Sequence, residues 1–225
     1  MWQARQVRAQ VPVLPECFEP SGSREGQGPP RRLIFIGDSI MAGVGHTLVE
    51  TTFVGQLTAK LAEATGWALQ WHNFAHNGCT SFSLLEVLPA CLPEADLVLV
   101  SCGVNDALRL RRPGTFQRNL QQLALRCPQA HWLWVGAPNL NDFPCLPFPL
   151  RNFLAQKLTA LARAADQLPH PWSAFQIEVR LTLDTFGPDQ FHPGPLGCHH
   201  WTRLLLALVI NRLASLQPGV GASLQ

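Results

Sequence analysis

The sequence predicts an α/β fold built on a parallel, doubly wound sheet. Three observations carry that expectation. Short apolar runs, such as Leu33-Ile34-Phe35-Ile36 and Leu97-Val98-Leu99-Val100, alternate along the chain with amphipathic stretches of helical period. The runs are apolar at every residue, as strands covered on both faces must be. At roughly 150 residues per domain, the 225 residues fit one α/β domain with an extension better than two complete domains.

The elements follow in order. Residues 1–30, rich in Pro, Gly, Ser and charge, read as an extended arm that either lies on the domain or stays mobile. The domain proper is expected over 31–216, with a tail at 217–225. Residues 33–36 form the first strand, ending at Gly37. Residues 54–65 are helical and stop at Gly66. A second strand is expected over 68–74 and a short helix over 83–92, disturbed by Pro89. Residues 96–102 form the third strand. Phe116, Leu120, Leu123 and Cys127 share one helical face within 115–127, and 131–136 is the fourth strand. Leu154, Leu158, Leu161, Ala165 and Leu168 repeat that spacing. Residues 174–177 give a fifth strand, and 195–216 the closing helix.

Composition removes several function classes. With 47% hydrophobic and 14% charged residues, the chain is not disordered. A net charge of +2 is too small for a protein built to hold a phosphate backbone, so no nucleic-acid partner is expected. No apolar stretch approaches the roughly 18 residues of a membrane span. The start, Met1-Trp2-Gln3-Ala4-Arg5-Gln6-Val7-Arg8, lacks the apolar core of a secretory signal. Seven scattered cysteines without a C-x-x-C suit reduced thiols. A cytoplasmic protein is the expectation, and its oligomeric state is not legible.

The chemistry sits on loops that leave strand ends. Gly37-Asp38-Ser39-Ile40-Met41-Ala42-Gly43 follows the first strand, where a helix N-terminus is expected to favour developing negative charge at Ser39. Asn73-Phe74-Ala75-His76-Asn77-Gly78-Cys79 follows the second strand, and Gly103-Val104-Asn105-Asp106 the third. Asp189-Gln190-Phe191-His192-Pro193 precedes the last helix. Together these supply a nucleophile, a base with a carboxylate three residues before it, and oxyanion donors. Each piece has a plainer reading when taken alone. Ser39 suits a helix N-cap, Asn105 and Asp106 a turn, and His192 an ordinary loop.

The ordered set resembles the SGNH/GDSL hydrolases over residues 31–213, and the Pro147-Phe148-Pro149-Leu150-Arg151 stretch is similar to a bacterial lysophospholipase-like esterase branch. The resemblance implies a three-layer α/β/α sandwich of flavodoxin-like type, with five parallel strands in the order 2-1-3-4-5. It implies Ser39 as nucleophile, His192 as general base and Asp189 as the acid that orients it. The oxyanion hole would use the N–H groups of Ser39 and Gly78 with the Asn105 side-chain amide. Asp106 is the rival acid. Two departures stand out. Gln190 occupies a position where the family usually has Gly, which matters only if a positive φ is required there. Cys198 replaces a frequent aromatic residue.

The implied reaction is hydrolysis of a small ester or thioester through a seryl acyl-enzyme, with neither metal nor organic cofactor. The adjacent His199 and His200 point about 100° apart on a helix and make a poor metal site. Two other readings stay open: an acyltransferase using the same acyl-enzyme, and a non-catalytic binding protein on the same fold. Within the Pro-rich segment 138–149, Leu140, Phe143, Leu146 and Phe148 either line an acyl pocket or pack the loop. The pocket reading, centred on Phe143 and Phe148, predicts a preference for short to medium acyl chains. Arg109, Arg111 and Arg112 form a solvated basic face or meet an anionic leaving group.

Overall fold

The structure, a computed structural model, describes residues 12–216. The first eight residues, which lack the apolar core of a secretory signal, and the expected tail at 217–225 lie outside the described residues. Among the described residues six strands form one sheet: β1 (Ser21–Arg24), β2 (Gly28–Gly37), β3 (Trp67–Ala75), β4 (Leu97–Ser101), β5 (His131–Gly136) and β6 (Trp172–Gln176). Their order is β1-β3-β2-β4-β5-β6. The five strands from β2 to β6 pair in parallel and reproduce the expected order 2-1-3-4-5.

The sixth strand corrects the expectation of a five-stranded, all-parallel sheet. β1 comes from the N-terminal arm and pairs antiparallel with β3, Ser21 opposite His72 and Arg24 opposite Leu69. β2 also begins at Gly28, so the arm joins the sheet before the expected boundary at residue 30.

Among the described residues six α-helices flank the sheet: α1 (Phe53–Thr65), α2 (Ser81–Val87), α3 (Val104–Leu108), α4 (Pro113–Ala124), α5 (Leu150–Asp166) and α6 (Pro195–Ala214). Alternation along the strands divides the core in two. Leu33 and Phe35 pack with Leu57 and Leu61 of α1 and Leu205 and Val209 of α6. Ile34 and Ile36 face the other way, onto Phe116 and Leu120 of α4 and Leu154 and Leu158 of α5. All twelve of these side chains are at most 4% exposed.

Helix ends follow their local chemistry. Thr52 Oγ1 accepts from Gly55 N–H to start α1. α2 begins earlier than expected because Thr80 and Ser83 form a reciprocal capping box, and it ends before Pro89 with Leu88 extended (ψ 148). α4 likewise starts early, with Pro113 in its first turn. Among the described residues no helix is long and apolar enough to cross a membrane.

Candidate active site

The loops at the carboxyl ends of the parallel strands build the site. Beyond β2, Asp38 N–H still pairs with Ser101 C=O of β4 at 3.1 Å. The chain then turns sharply. Ala42 N–H bonds Asp38 C=O (3.0 Å), Gly43 N–H bonds Ile40 C=O (3.2 Å) and Val44 N–H bonds Ser39 C=O (3.0 Å). The helix expected at Ser39 is absent, because Gly43 (φ 58) and Gly45 (φ 87) break any helical continuation. Among the described residues the turn leaves the Ser39 N–H without a backbone acceptor. Ser39 itself is 7% exposed.

Beyond β4, Gly103 at φ 136 reverses the chain into α3, a five-residue helix too short to show a period in the sequence. Its first turn carries Asn105, whose Nδ2 donates to Asp38 Oδ2 at 3.2 Å. Asp38 also accepts from Ile40 N–H at 3.3 Å. Burial nevertheless dominates and raises the Asp38 carboxyl from 3.8 to about 6. An amide nitrogen carries two hydrogens, so Asn105 keeps one N–H beyond the bond to Asp38.

The loop before α6 holds the acid and the base. Asp189 Oδ1 accepts the N–H groups of Phe191 and His192, each at 3.0 Å. Asp189 Oδ2 lies 2.5 Å from His192 Nδ1. Burial alone would raise the Asp189 carboxyl, but the hydrogen bonds from the His192 ring and from the two N–H groups outweigh it. The net shift is downward, so the carboxylate is ionised when it holds the ring. Because Nδ1 donates to Asp189, Nε2 of a neutral His192 is the ring nitrogen free to accept a proton.

Ser39, Asn105 and His192 line one cavity of about 20 Å³, together with Asp38, Phe143 and Phe191. Asp189 sits behind His192, fully buried. Gly78 lies in the turn after β3 (φ 75), where Cys79 N–H bonds His76 C=O and leaves the Gly78 N–H outside that bond. It is exposed and not among the residues lining the cavity. Phe143 is 4% exposed and packs edge-on against Phe186 and Phe191, at 5.1 and 5.6 Å between ring centroids. Leu140 and Leu146 are core residues. Phe148 is 66% exposed and is not among the residues lining this cavity.

Asp106 serves the scaffold. Its carboxylate accepts Ser81 N–H at 2.8 Å and Ser81 Oγ–H at 2.6 Å at the start of α2. Arg111 approaches to 3.7 Å and also lies over the Phe82 ring, while Arg109 and Arg112 are exposed.

A model of the GDSL-like lipase/acylhydrolase family matches residues 35–199. The chain belongs to this family. Esterase TesA of Pseudomonas aeruginosa is 35% identical over 100 residues, covering 44% of this chain and 49% of that protein. The chain thus matches about half the length of that relative. The fold resembles the lipase Lip_vut3 from a goat rumen metagenome, with a TM-score of 0.65, 18% identity, and 81% and 99% of the two chains covered. It also resembles the acetylxylan esterase Axe2 of Geobacillus stearothermophilus, with a TM-score of 0.55, 18% identity, and 83% and 95% covered.

Within this GDSL chain two features of the site were not read from the sequence. One is the bond between Asp38 and Asn105. The other is His46, buried beside the loop of His192. Neither belongs to a local pattern, since the residues of each pair are far apart along the chain.

Proposed function

We propose that the protein is a serine esterase that cleaves short acyl esters through a seryl acyl-enzyme. The observation that carries this reading is the His192–Asp189 pair, 2.5 Å apart, with His192 lining the same cavity as Ser39. In the proposed cycle Ser39 Oγ bonds the acyl carbon while its proton passes to His192 Nε2. The resulting oxyanion takes hydrogen bonds from the N–H groups of Ser39 and Gly78 and from the remaining N–H of Asn105. Collapse expels the alcohol or thiol, which takes the proton from His192. Water then attacks the acyl-enzyme, giving a proton to His192, and Ser39 leaves with that proton restored.

The substrate reading rests on size. A cavity of about 20 Å³, closed on one side by the buried Phe143, has space for roughly one water and favours an acetyl-sized group over a long chain. The fold-level neighbours include an acetylxylan esterase, which agrees with a short acyl group. The test is a rate series on acetyl to dodecanoyl esters and acetyl thioesters, with Ser39→Ala as the blank. The wild type should turn over acetyl esters fastest, and Ser39→Ala should be at least about 10³-fold slower. A Ser39→Ala protein with near-normal turnover would refute the mechanism. Added alcohols that divert the acyl group in preference to water would instead identify an acyltransferase.

A further inference from the structure

His46 is 5% exposed and stands outside the motifs that carry the chemistry. It lies on the segment that connects the Ser39 turn to α1. Its Nε2 is 3.0 Å from the carbonyl of Pro193, the residue after His192. Its Nδ1 is 2.9 Å from Thr51 Oγ1. A carbonyl can only accept, so Nε2 carries a proton toward Pro193, while the Thr51 hydroxyl beside Nδ1 also donates to the Leu48 carbonyl at 2.8 Å. Burial pushes the His46 imidazole below its ordinary value.

A second side chain on the same segment makes a parallel tie. Gln56 Nε2, on the first turn of α1, donates to Thr51 C=O at 2.8 Å and to Pro195 C=O at 2.9 Å. The loop of the base is thereby held at two alternate carbonyls, Pro193 and Pro195. As prolines, Pro193, bridged to Phe186, and Pro195, the first residue of α6, have no N–H of their own to donate. Cys198, small where the family often has an aromatic side chain, is 1% exposed and places its Sγ 3.6 Å from His46 Nε2. A bulky ring there would compete with the imidazole for the same space.

We infer that His46 is a positioning residue, which with Gln56 clamps the His192 loop onto the segment that carries Ser39 and so fixes the distance between nucleophile and base. The inference rests on the esterase reading for its kinetic part only. Ser39 and His192 belong to elements more than a hundred residues apart, and Asp189 orients the imidazole without fixing where the whole loop stands. Misplacing a reacting group by about 1 Å costs on the order of 10²-fold in rate, so a tie one residue from His192 acts directly on turnover.

The test compares His46→Leu with His46→Gln, whose amide nitrogen can stand in for Nε2–H, and with Gln56→Leu, each checked for folding by circular dichroism. Turnover of an acetyl ester should fall about 10- to 100-fold in kcat in His46→Leu, with KM nearly unchanged, and should recover largely in His46→Gln. Independently of any activity, the low-field proton resonance of the His192 Nδ1–H bonded to Asp189 should shift or broaden in His46→Leu, as the loop and its ring leave their place beside the Ser39 turn, and return in His46→Gln. A folded His46→Leu protein that keeps both its kcat and this resonance overturns the inference. So does a loss that His46→Gln fails to restore. If His46→Leu does not fold, the same two readouts on Gln56→Leu decide, and wild-type values there refute the clamp. If the wild type shows no turnover that depends on Ser39, the esterase reading fails and the resonance alone judges the clamp.

Discussion

The Asn105 side-chain amide donates to Asp38 Oδ2 at 3.2 Å, so a carboxylate next to the proposed nucleophile holds the proposed oxyanion donor. This bond fixes which end of the Asn105 amide is nitrogen and leaves its second hydrogen for the substrate oxygen. Asn105→Ala should lower kcat by about 10²- to 10³-fold with little change in KM, as expected for a donor used mainly in the transition state. A loss expressed mainly in KM would assign Asn105 to ground-state binding instead.

Asp38 also predicts a pH dependence of stability. Burial raises its carboxyl from 3.8 to about 6. Between these values the folded protein retains a proton that the unfolded chain has released, so this group destabilises the fold progressively as pH rises through that window. The full effect, about 3 kcal/mol for a shift of about two units, is present above pH 6. Asp38→Asn lacks it. Urea melts should show the variant gaining on the wild type by up to about 3 kcal/mol between pH 4 and pH 7. The same variant should lose kcat, because a neutral amide no longer selects the Asn105 orientation. A stability difference that does not vary with pH would contradict the assignment.

The other two buried acids, Asp189 and Asp106, should separate cleanly in their phenotypes. Asp189 holds the His192 ring and two backbone N–H groups, so Asp189→Asn should reduce kcat by about 10⁴-fold through the wrong imidazole tautomer. Asp106 binds Ser81 at the start of α2, and Asp106→Ala leaves that network unpaired at a cost of about 1 to 3 kcal/mol. Its folded fraction should retain kcat within a few-fold. Active-site titration combined with thermal melts of both variants would reveal any exchange of roles.

Gln190 sits between the acid and the base at φ 57. The left-handed region costs a residue with a Cβ about 1 to 2 kcal/mol, partly offset in a comparison with Gly by that residue's freer unfolded chain. Gln190→Gly should therefore stabilise the protein by about 0.5 to 1 kcal/mol, and Gln190→Val should destabilise it. Denaturant midpoints of the pair give the sign directly, and a destabilised Gly variant would contradict the strain.

Phe143 and Phe148 should now behave differently. Phe143 lines the cavity and packs on Phe191, so Phe143→Leu should widen the acyl profile toward butanoyl and hexanoyl esters. Phe148 is 66% exposed and outside the cavity lining, and Phe148→Ala should leave the acyl profile unchanged. A profile that shifts in Phe148→Ala and not in Phe143→Leu would reverse this assignment.

What the sequence made legible depended on range. Residues 131–136 read as a strand and form β5 with the same limits, because a run of buried apolar side chains is a local signal. Gly66 stops α1 as expected, since a left-handed residue (φ 67) is also local. The strand order came with the family resemblance. β1 was not legible: Ser21-Gly22-Ser23-Arg24 has the composition of a loop and becomes a strand only through its pairing with β3. The missing helix after Ser39 follows from Gly43 and Gly45, whose positive φ values are visible only in the structure. His46 meets Pro193 across 147 positions, and no pattern of spacing reports such a contact.

The arm does more than lengthen the sheet. Cys17 N–H bonds Ala42 C=O at 2.9 Å, and Gly45 N–H bonds Pro15 C=O at 3.0 Å, so the arm crosses the turn that presents Ser39. The fit is close enough that a Cβ on Gly43 would stand 2.3 Å from the Cys17 carbonyl. A turn with no helix behind it is instead buttressed from outside by a segment that reads, in composition, as an extended arm. Trimming the protein to the compact unit starting at Arg31 would therefore remove scaffolding from the nucleophile, and would uncover the backbone edge of β3 for pairing with other chains.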